Sequence, residues 1–390
     1  MPAMPALPTE YLGIPETRLS AASALCTARE IEQQPRMLAL TDTLVAAMHG
    51  QLTDFVAPIT DDPQARVILT GAGTSAYIGL CLAALLEQTL AARVEAIPTT
   101  DIVAAPELYL DPAAPLLLVS FGRSGNSPES LAAIELAEAR VPGVRHLVFT
   151  CNRSGALGRI NVRHALTVQL PEQTHDAGFA MTSSFSCMLY ATLAALSPAH
   201  SMDARGKALA RAMDGVIQTT TPALSELAAQ GHDRVAFLGS GLLQGLARES
   251  ALKLGELCNG EVATCFDSTL GFRHGPKTFV SANTAVIVYV SNHPLTRQYD
   301  HDLIDELRHD GVAARVLEIT AQPRIGHAAD TIAIADMAAA ADVDLIWPYV
   351  AAAQMFALHA SLARGITPDN PNPQGMVNRV VQGVRIHAAS

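Results

Sequence analysis

The sequence predicts an α/β protein made of two tandem, related, doubly wound parallel-sheet lobes behind an N-terminal helical arm, and three observations carry that prediction. The chain has 390 residues, more than one hydrophobic core usually organises. Apolar runs of strand length alternate with helical segments, and such runs imply parallel strands covered on both faces. The pattern also occurs twice. VILTGAG at 67–73 is matched by VAFLGSG at 235–241, LLLVS at 116–120 by VIVYVS at 286–291, and HLVFTCN at 146–152 by RVLEITA at 315–321.

Taken in order, residues 1–50 read as a helical arm, 51–215 as the first lobe and 216–390 as the second lobe with a C-terminal tail. In the arm, Thr27-Ala-Arg-Glu30 has the form of a capping box that opens a helix, and Pro35 interrupts it. A helical link at about 203–228 joins the copies. The longest apolar stretch, 331–363, is broken by Asp336, Asp342, Asp344 and Pro348. It reads as a buried Ala-rich helix and not as a bilayer span.

Bulk composition narrows the function. A net charge of −11 argues against a nucleic-acid partner, which would call for a cationic footprint. The six cysteines are scattered without a C-x-x-C pair, and no histidines cluster at metal-ligand spacing, so reduced thiols and no metal are expected. The first residues carry neither a basic stretch nor an apolar one of the secretory kind, so a cytoplasmic location is expected.

In a doubly wound lobe ligands sit where strands end and helices begin, because free N–H groups and the helix dipole attract anions there. The first copy offers two such ends: Gly71-Ala-Gly73-Thr74-Ser75, and Ser120-Phe-Gly122-Arg123-Ser124-Gly-Asn-Ser127. A single G-x-G-T-S is no more than a turn. Two hydroxyl-rich loops at equivalent strand ends are harder to explain as turns, and they read as a phosphate cradle. The second copy lacks both hydroxyl-rich loops, having GSGLLQG at 239–245 and SNHPLTR at 291–297, so one phosphate per chain is expected, held by the first lobe.

The second copy carries instead a helix over 242–258 with Glu249, Lys253 and Glu256 at i, i+4 and i+7, on one face. On an arbitrary helix this would be an exposed salt bridge. Here the remaining residues are unusually apolar, so the stripe is expected to line a cleft. His274 follows in the Gly/Pro-shaped loop Phe272-Arg-His-Gly-Pro, and with a cleft glutamate it makes an acid/base candidate.

These stretches resemble the double sugar-isomerase (SIS) module, whose lobes are flavodoxin-like: GAGTS at 71–75, SFGRSGNSPES at 120–130, and the helix and loop at 247–276. TAREIEQQP at 27–35, AIPTTDIV at 96–103, GFAMTSSFSCML at 178–189, LGFRHGP at 270–276 and VNRVVQGVRIH at 377–387 are similar to its AgaS-type branch, galactosamine-6-phosphate deaminases or tagatose-6-phosphate ketose/aldose isomerases.

The resemblance implies a small-molecule sugar-phosphate substrate and no cofactor. It implies that Thr74, Ser75, Ser124 and Ser127, with the backbone at Gly122 and Arg123, hold the phosphate. Glu256 would be the base that moves a proton between C1 and C2, Lys253 and Glu249 its neighbours, and His274 the ring-opening histidine, reaching the site from the other subunit of a homodimer. At the place of an imine-forming lysine in the related glucosamine-6-phosphate synthase stands Asn378. No glutamine amidotransferase domain is expected before the first lobe.

The expected reaction is therefore deaminating aldose–ketose isomerisation of galactosamine 6-phosphate to tagatose 6-phosphate and ammonia. Plain isomerisation of a hexose 6-phosphate, deglycation of a fructosamine 6-phosphate and non-catalytic sugar-phosphate sensing stay open as alternatives.

Overall fold

The computed structural model describes residues 9–198, 202, 204–326, 328–381 and 383–387. The arm opens with a short hairpin, β1 (Glu10–Tyr11) and β2 (Ile14–Pro15), followed by helices α1 (Glu16–Ala21), α2 (Leu25–Glu32) and α3 (Gln34–Thr60). The first lobe contains β3 (Arg66–Thr70), α4 (Thr74–Thr89), β4 (Arg93–Ala96), α5 (Thr99–Ala104), α6 (Pro106–Tyr109), β5 (Leu116–Gly122), α7 (Pro128–Arg140), β6 (Arg145–Thr150), β7 (Ala165–Gln169) and α8 (Ser183–Leu196). The second comprises α9 (Arg205–Ala229), β8 (Arg234–Gly239), α10 (Leu242–Leu257), β9 (Ala263–Asp267), α11 (Thr269–Phe272), β10 (Thr284–Tyr289), α12 (Pro294–Asp310), β11 (Arg315–Thr320), β12 (Thr331–Ala333) and α13 (Asp342–Ala363).

Each lobe carries a five-stranded parallel sheet, ordered β4-β3-β5-β6-β7 in the first and β9-β8-β10-β11-β12 in the second. The two orders are the same when counted from each lobe's first strand, so the sequence repeat is a repeat of topology. The switch point, where the order reverses, lies between the first and third strands of each lobe. The boundaries drawn at 50/51 and 215/216 fall inside the continuous helices α3 and α9.

One apolar core runs through both lobes. Helices α8 and α13 are apolar on every face because they are enclosed on every face. Trp347 of α13 packs edge-on to Tyr190 of α8, with ring centroids 6.0 Å apart, and its indole N–H donates to the Ser186 carbonyl at 3.0 Å. Buried amides lock the same seam: Gln34 Nε2 donates to Gln354 Oε1 at 2.8 Å, and Ser186 Oγ donates to Gln34 Oε1 at 2.6 Å. Helix α13 is long and apolar enough to cross a membrane, but 94% of its most apolar window is buried inside the protein. The helix expected over 331–363 is in fact strand β12 followed by α13, which Pro348 does not end.

The capping-box reading of the arm is overturned. Helix α2 begins at Leu25, so Thr27 and Glu30 both lie inside it. The carboxylate at its N-terminus belongs to Asp369, which accepts from the Cys26 and Thr27 N–H groups at 3.0 and 2.8 Å and from Thr27 Oγ1 at 2.7 Å. A local pattern cannot show a cap that arrives from the far end of the chain. Pro35 stands near the start of α3, where its missing N–H costs nothing.

Candidate active site

The first strand of each lobe runs into its helix through a glycine of the same unusual conformation: Gly73 at φ 57°, ψ −130° before α4, and Gly241 at φ 59°, ψ −127° before α10. Side chains with a Cβ rarely adopt it, which explains G-x-G in both copies. The two helices pack against each other, and Gly245 permits the close approach: a Cβ there would stand 2.9 Å from the Cys81 backbone nitrogen. This contact carries the α10 stripe to the first turn of α4, where Thr74 Oγ1 donates to Glu249 Oε1 at 3.4 Å.

A cavity of about 220 Å³ opens at that junction. Gly73, Thr74 and Ser75 line it from the start of α4, and Gly122, Arg123, Ser124, Ser127 and Ser130 line it from the loop into α7. Two helix N-termini thus converge on one space, an arrangement suited to an anion. Glu256 lines the opposite side, and residues 377–381 of the tail cover it.

The structure separates the roles of the stripe. Glu249 and Lys253 are completely buried behind the wall, and only Glu256 reaches the cavity. Lys253 Nζ donates to Glu256 Oε2 and lies 3.6 Å from Glu249 Oε1. Burial alone would pull the lysine down, but the two glutamates outweigh it and hold the ammonium above its ordinary value. Burial pushes the Glu249 carboxyl up to about 8 against the attraction of Lys253, and its Oε2 has no hydrogen-bond partner. One positive charge therefore serves one carboxylate, that of Glu256, while Glu249 stays protonated near neutrality.

That proton has a consequence for stability. The folded protein holds it up to about pH 8, whereas an ordinary glutamate releases it near 4.5, so the folded state binds more protons in between. Stability is expected to fall as pH rises across this window, by up to about 4 kcal/mol from this group. Glu30, also pushed up to about 8, has the same sign. Denaturant titrations of E249Q at about pH 5 and pH 8 are expected to show a smaller loss than in the unchanged chain. An identical loss would mean that Glu249 is ionised throughout.

The other expected residues fall out as follows. Ser120 is buried within β5, opposite Thr70, and does not line the cavity; its hydroxyl has no partner. Ser127 Oγ donates to Glu129 at 2.6 Å. Arg123 sends its guanidinium to backbone carbonyls, Phe179 at 2.8 Å, Gly178 at 3.3 Å and Arg379 at 2.7 Å, so it ties a loop and the tail together. His274 is exposed and does not line the cavity of its own chain. Among the described residues no group of three or more His, Cys, Asp or Glu could hold a metal ion.

Sequence reasoning missed the residues that close the cavity from the tail side: Phe179, Met181, Asn378 as a lining residue, and Arg379, which donates to the carbonyls of Gly178 and Asp176. A signal was present, since three of the branch-specific stretches, at 27–35, 178–189 and 377–387, meet here.

In the second lobe the equivalent strand ends carry a carboxylate of the chain itself. Buried Asp300 accepts from Ser240 Oγ at 3.0 Å, Thr269 Oγ1 at 2.8 Å and the Ser291 N–H at 2.9 Å. The donors at this switch point are thus already engaged, in keeping with a single anion site per chain.

Two lobes of this topology, one with an open cavity at two helix N-termini and one filled there by its own Asp300, define a tandem SIS-type protein, and residues 62–198 match the SIS domain. The chain is 46% identical over 376 residues to the D-galactosamine-6-phosphate deaminase AgaS of Escherichia coli O157:H7, covering 95% of this chain and 98% of that one. It is 43% identical to the protein of the same name from a Shewanella species, over 95% and 94% of the two chains. The crystal structure of tagatose-6-phosphate ketose/aldose isomerase from Escherichia coli superposes with a TM-score of 0.87 at 43% identity, covering 94% of this chain and 98% of that one. The chain belongs to the AgaS family.

Proposed function

We propose that this protein converts galactosamine 6-phosphate to tagatose 6-phosphate and ammonia. The observation that carries the reading is the pairing, within one small cavity, of an anion cradle at two helix N-termini with a lysine-held carboxylate, Glu256, at the other side. The names of the relatives supply the nitrogen and the galacto configuration.

In this reading Thr74, Ser75, Ser124 and Ser127, with the backbone of Gly73, Gly122 and Arg123, anchor the phosphate, which fixes the far end of the open sugar. Glu256 removes the C2 proton while O1 gains one, giving an enaminol. The same carboxyl returns the proton to C1, and the C2–N bond becomes an iminium. Water adds at C2, ammonia departs, and the ketose remains. Lys253 orients Glu256, and protonated Glu249 spares that carboxylate a second negative neighbour.

His274 opens the pyranose ring from the partner subunit of a homodimer. Its exposure, beside exposed Leu270 and Phe266, supports this placement. The six unpaired cysteines suit the cytoplasm.

The test incubates the purified, chelator-treated protein with galactosamine 6-phosphate and, separately, glucosamine 6-phosphate, and quantifies ammonia and ketohexose phosphate together. Equal amounts of both products from the galacto sugar are expected. Ketose exchange with a plain aldose phosphate and no ammonia from either amino sugar would instead make the protein an isomerase, the activity named for the Escherichia coli structure.

A further inference from the structure

We propose that Glu30, on the N-terminal arm, is a positioning residue for the phosphate end of the cavity, acting through the 176–179 loop and Arg123. The inference rests on the cradle reading above and adds to it a residue remote from the cavity.

Glu30 is 3% exposed, and its two carboxyl oxygens accept from two consecutive backbone N–H groups: Oε1 from Ala177 at 2.5 Å and Oε2 from Gly178 at 3.1 Å. The carbonyls that follow, of Gly178 and Phe179, are the ones that receive the Arg123 guanidinium. The peptide plane whose N–H Glu30 Oε1 holds carries the Asp176 carbonyl, which accepts from Arg379, and the Gly178 and Phe179 carbonyls that accept from Arg123 follow on the same short loop, so Glu30 fixes the loop on which both guanidinium groups find their acceptors. Arg123 in turn belongs to the loop that lines the cavity, and its Nη2 group reaches the Arg379 carbonyl of the covering tail at 2.7 Å. Arg379 closes the circuit by donating back to Gly178 at 3.2 Å.

Space makes this contact specific. A Cβ on Gly178 would lie 2.8 Å from Thr27 Oγ1 and 3.0 Å from Glu30 Oε2, so the loop rests directly on α2 and only glycine fits. The capping of α2 by Asp369 ties the same helix to the segment leading into the tail. Among the described residues no hydrogen bond or ion pair joins Glu30 to Glu256 or Lys253, so its hold is on the loop and tail beside the phosphate end.

The test uses the full chain with E30A, E30Q and G178A, measuring the Kd for inorganic phosphate by calorimetry and steady-state kinetics on galactosamine 6-phosphate. E30A removes the acceptor of the buried Gly178 N–H and of the Ala177 N–H, and G178A breaks the contact from the loop side, its Cβ pressing on Thr27 Oγ1 and Glu30 Oε2 while the Glu30 side chain is kept. Each is expected to weaken phosphate binding and raise KM about tenfold, with kcat within about threefold. E30Q keeps an acceptor oxygen and is expected to stay within about threefold of the unchanged protein. A merely structural role would lower the melting temperature of E30A without moving the Kd or KM of the folded protein. E30A or G178A folded and binding phosphate with unchanged Kd would overturn the proposal; should E30A fail to fold, the G178A result decides. Absence of phosphate binding by the unchanged chain would overturn the cradle reading and this proposal with it, whereas loss of ammonia release alone would touch only the reaction.

Discussion

Replacing Glu256 by glutamine is expected to lower kcat for ammonia release from galactosamine 6-phosphate about a thousandfold while KM stays within about threefold. Glu256 is the one carboxylate of the α10 stripe that lines the cavity, and Lys253 holds one of its oxygens. Glutamine keeps the size and can still accept from the lysine, but its amide nitrogen cannot take up and return a carbon-bound proton. Substrate binding is dominated by the phosphate at the opposite wall, so KM has little reason to move. The informative measurement is exchange of the C2 hydrogen in deuterium oxide, followed alongside ammonia. Exchange and turnover should fall together. Near-normal exchange in E256Q would assign the proton transfer to another group and sink the mechanism.

Lys253→Met is expected to destabilise the fold by about 3–5 kcal/mol at neutral pH, read from urea unfolding. The ammonium is completely buried between Glu249 and Glu256, and with Glu249 protonated its removal leaves the Glu256 carboxylate without its counterion. The K253M deficit should shrink toward acidic pH, where carboxylates gain protons and the unpaired charge disappears. Adding E249Q to K253M should change the loss little, because Glu249 already carries its proton; a double-mutant cycle measures this coupling directly. A loss below about 1 kcal/mol would mean that water reaches the lysine and that it is no buried counterion.

Both substitutions lie on α10, and how that helix reads in sequence and in structure shows where pattern suffices. The i, i+4, i+7 spacing places the three residues on one face by helix geometry alone, and the face is as expected. Which of them meets the cavity was not legible, because that depends on how far α4 and α10 sink into one another. The glycine at 245 that sets their approach looks in sequence like any other glycine. Similarly, Arg123 was expected to lend its backbone to the cradle, and nothing in the sequence showed that its guanidinium is spent on three carbonyls contributed by residues 178, 179 and 379. The capping box failed for the same reason: a sequence window of four residues contains Thr27 and Glu30 but not Asp369 or Gly178, their actual partners.

Properties with a short physical range were therefore decided by the chain locally: two sheets of buried parallel strands, from unbroken apolar runs, and two strand-to-helix turns, from glycines free to take a positive φ. The electrostatics of the site were decided only on assembly. A glutamate becomes a proton holder up to about pH 8 because α10 is driven into the core beside Thr74, and another does so because α2 is pressed onto the 176–178 loop by a tail that begins more than three hundred residues later. Desolvation depends on everything that surrounds a group, and what surrounds these groups comes from parts of the chain that meet only when both lobes are folded together.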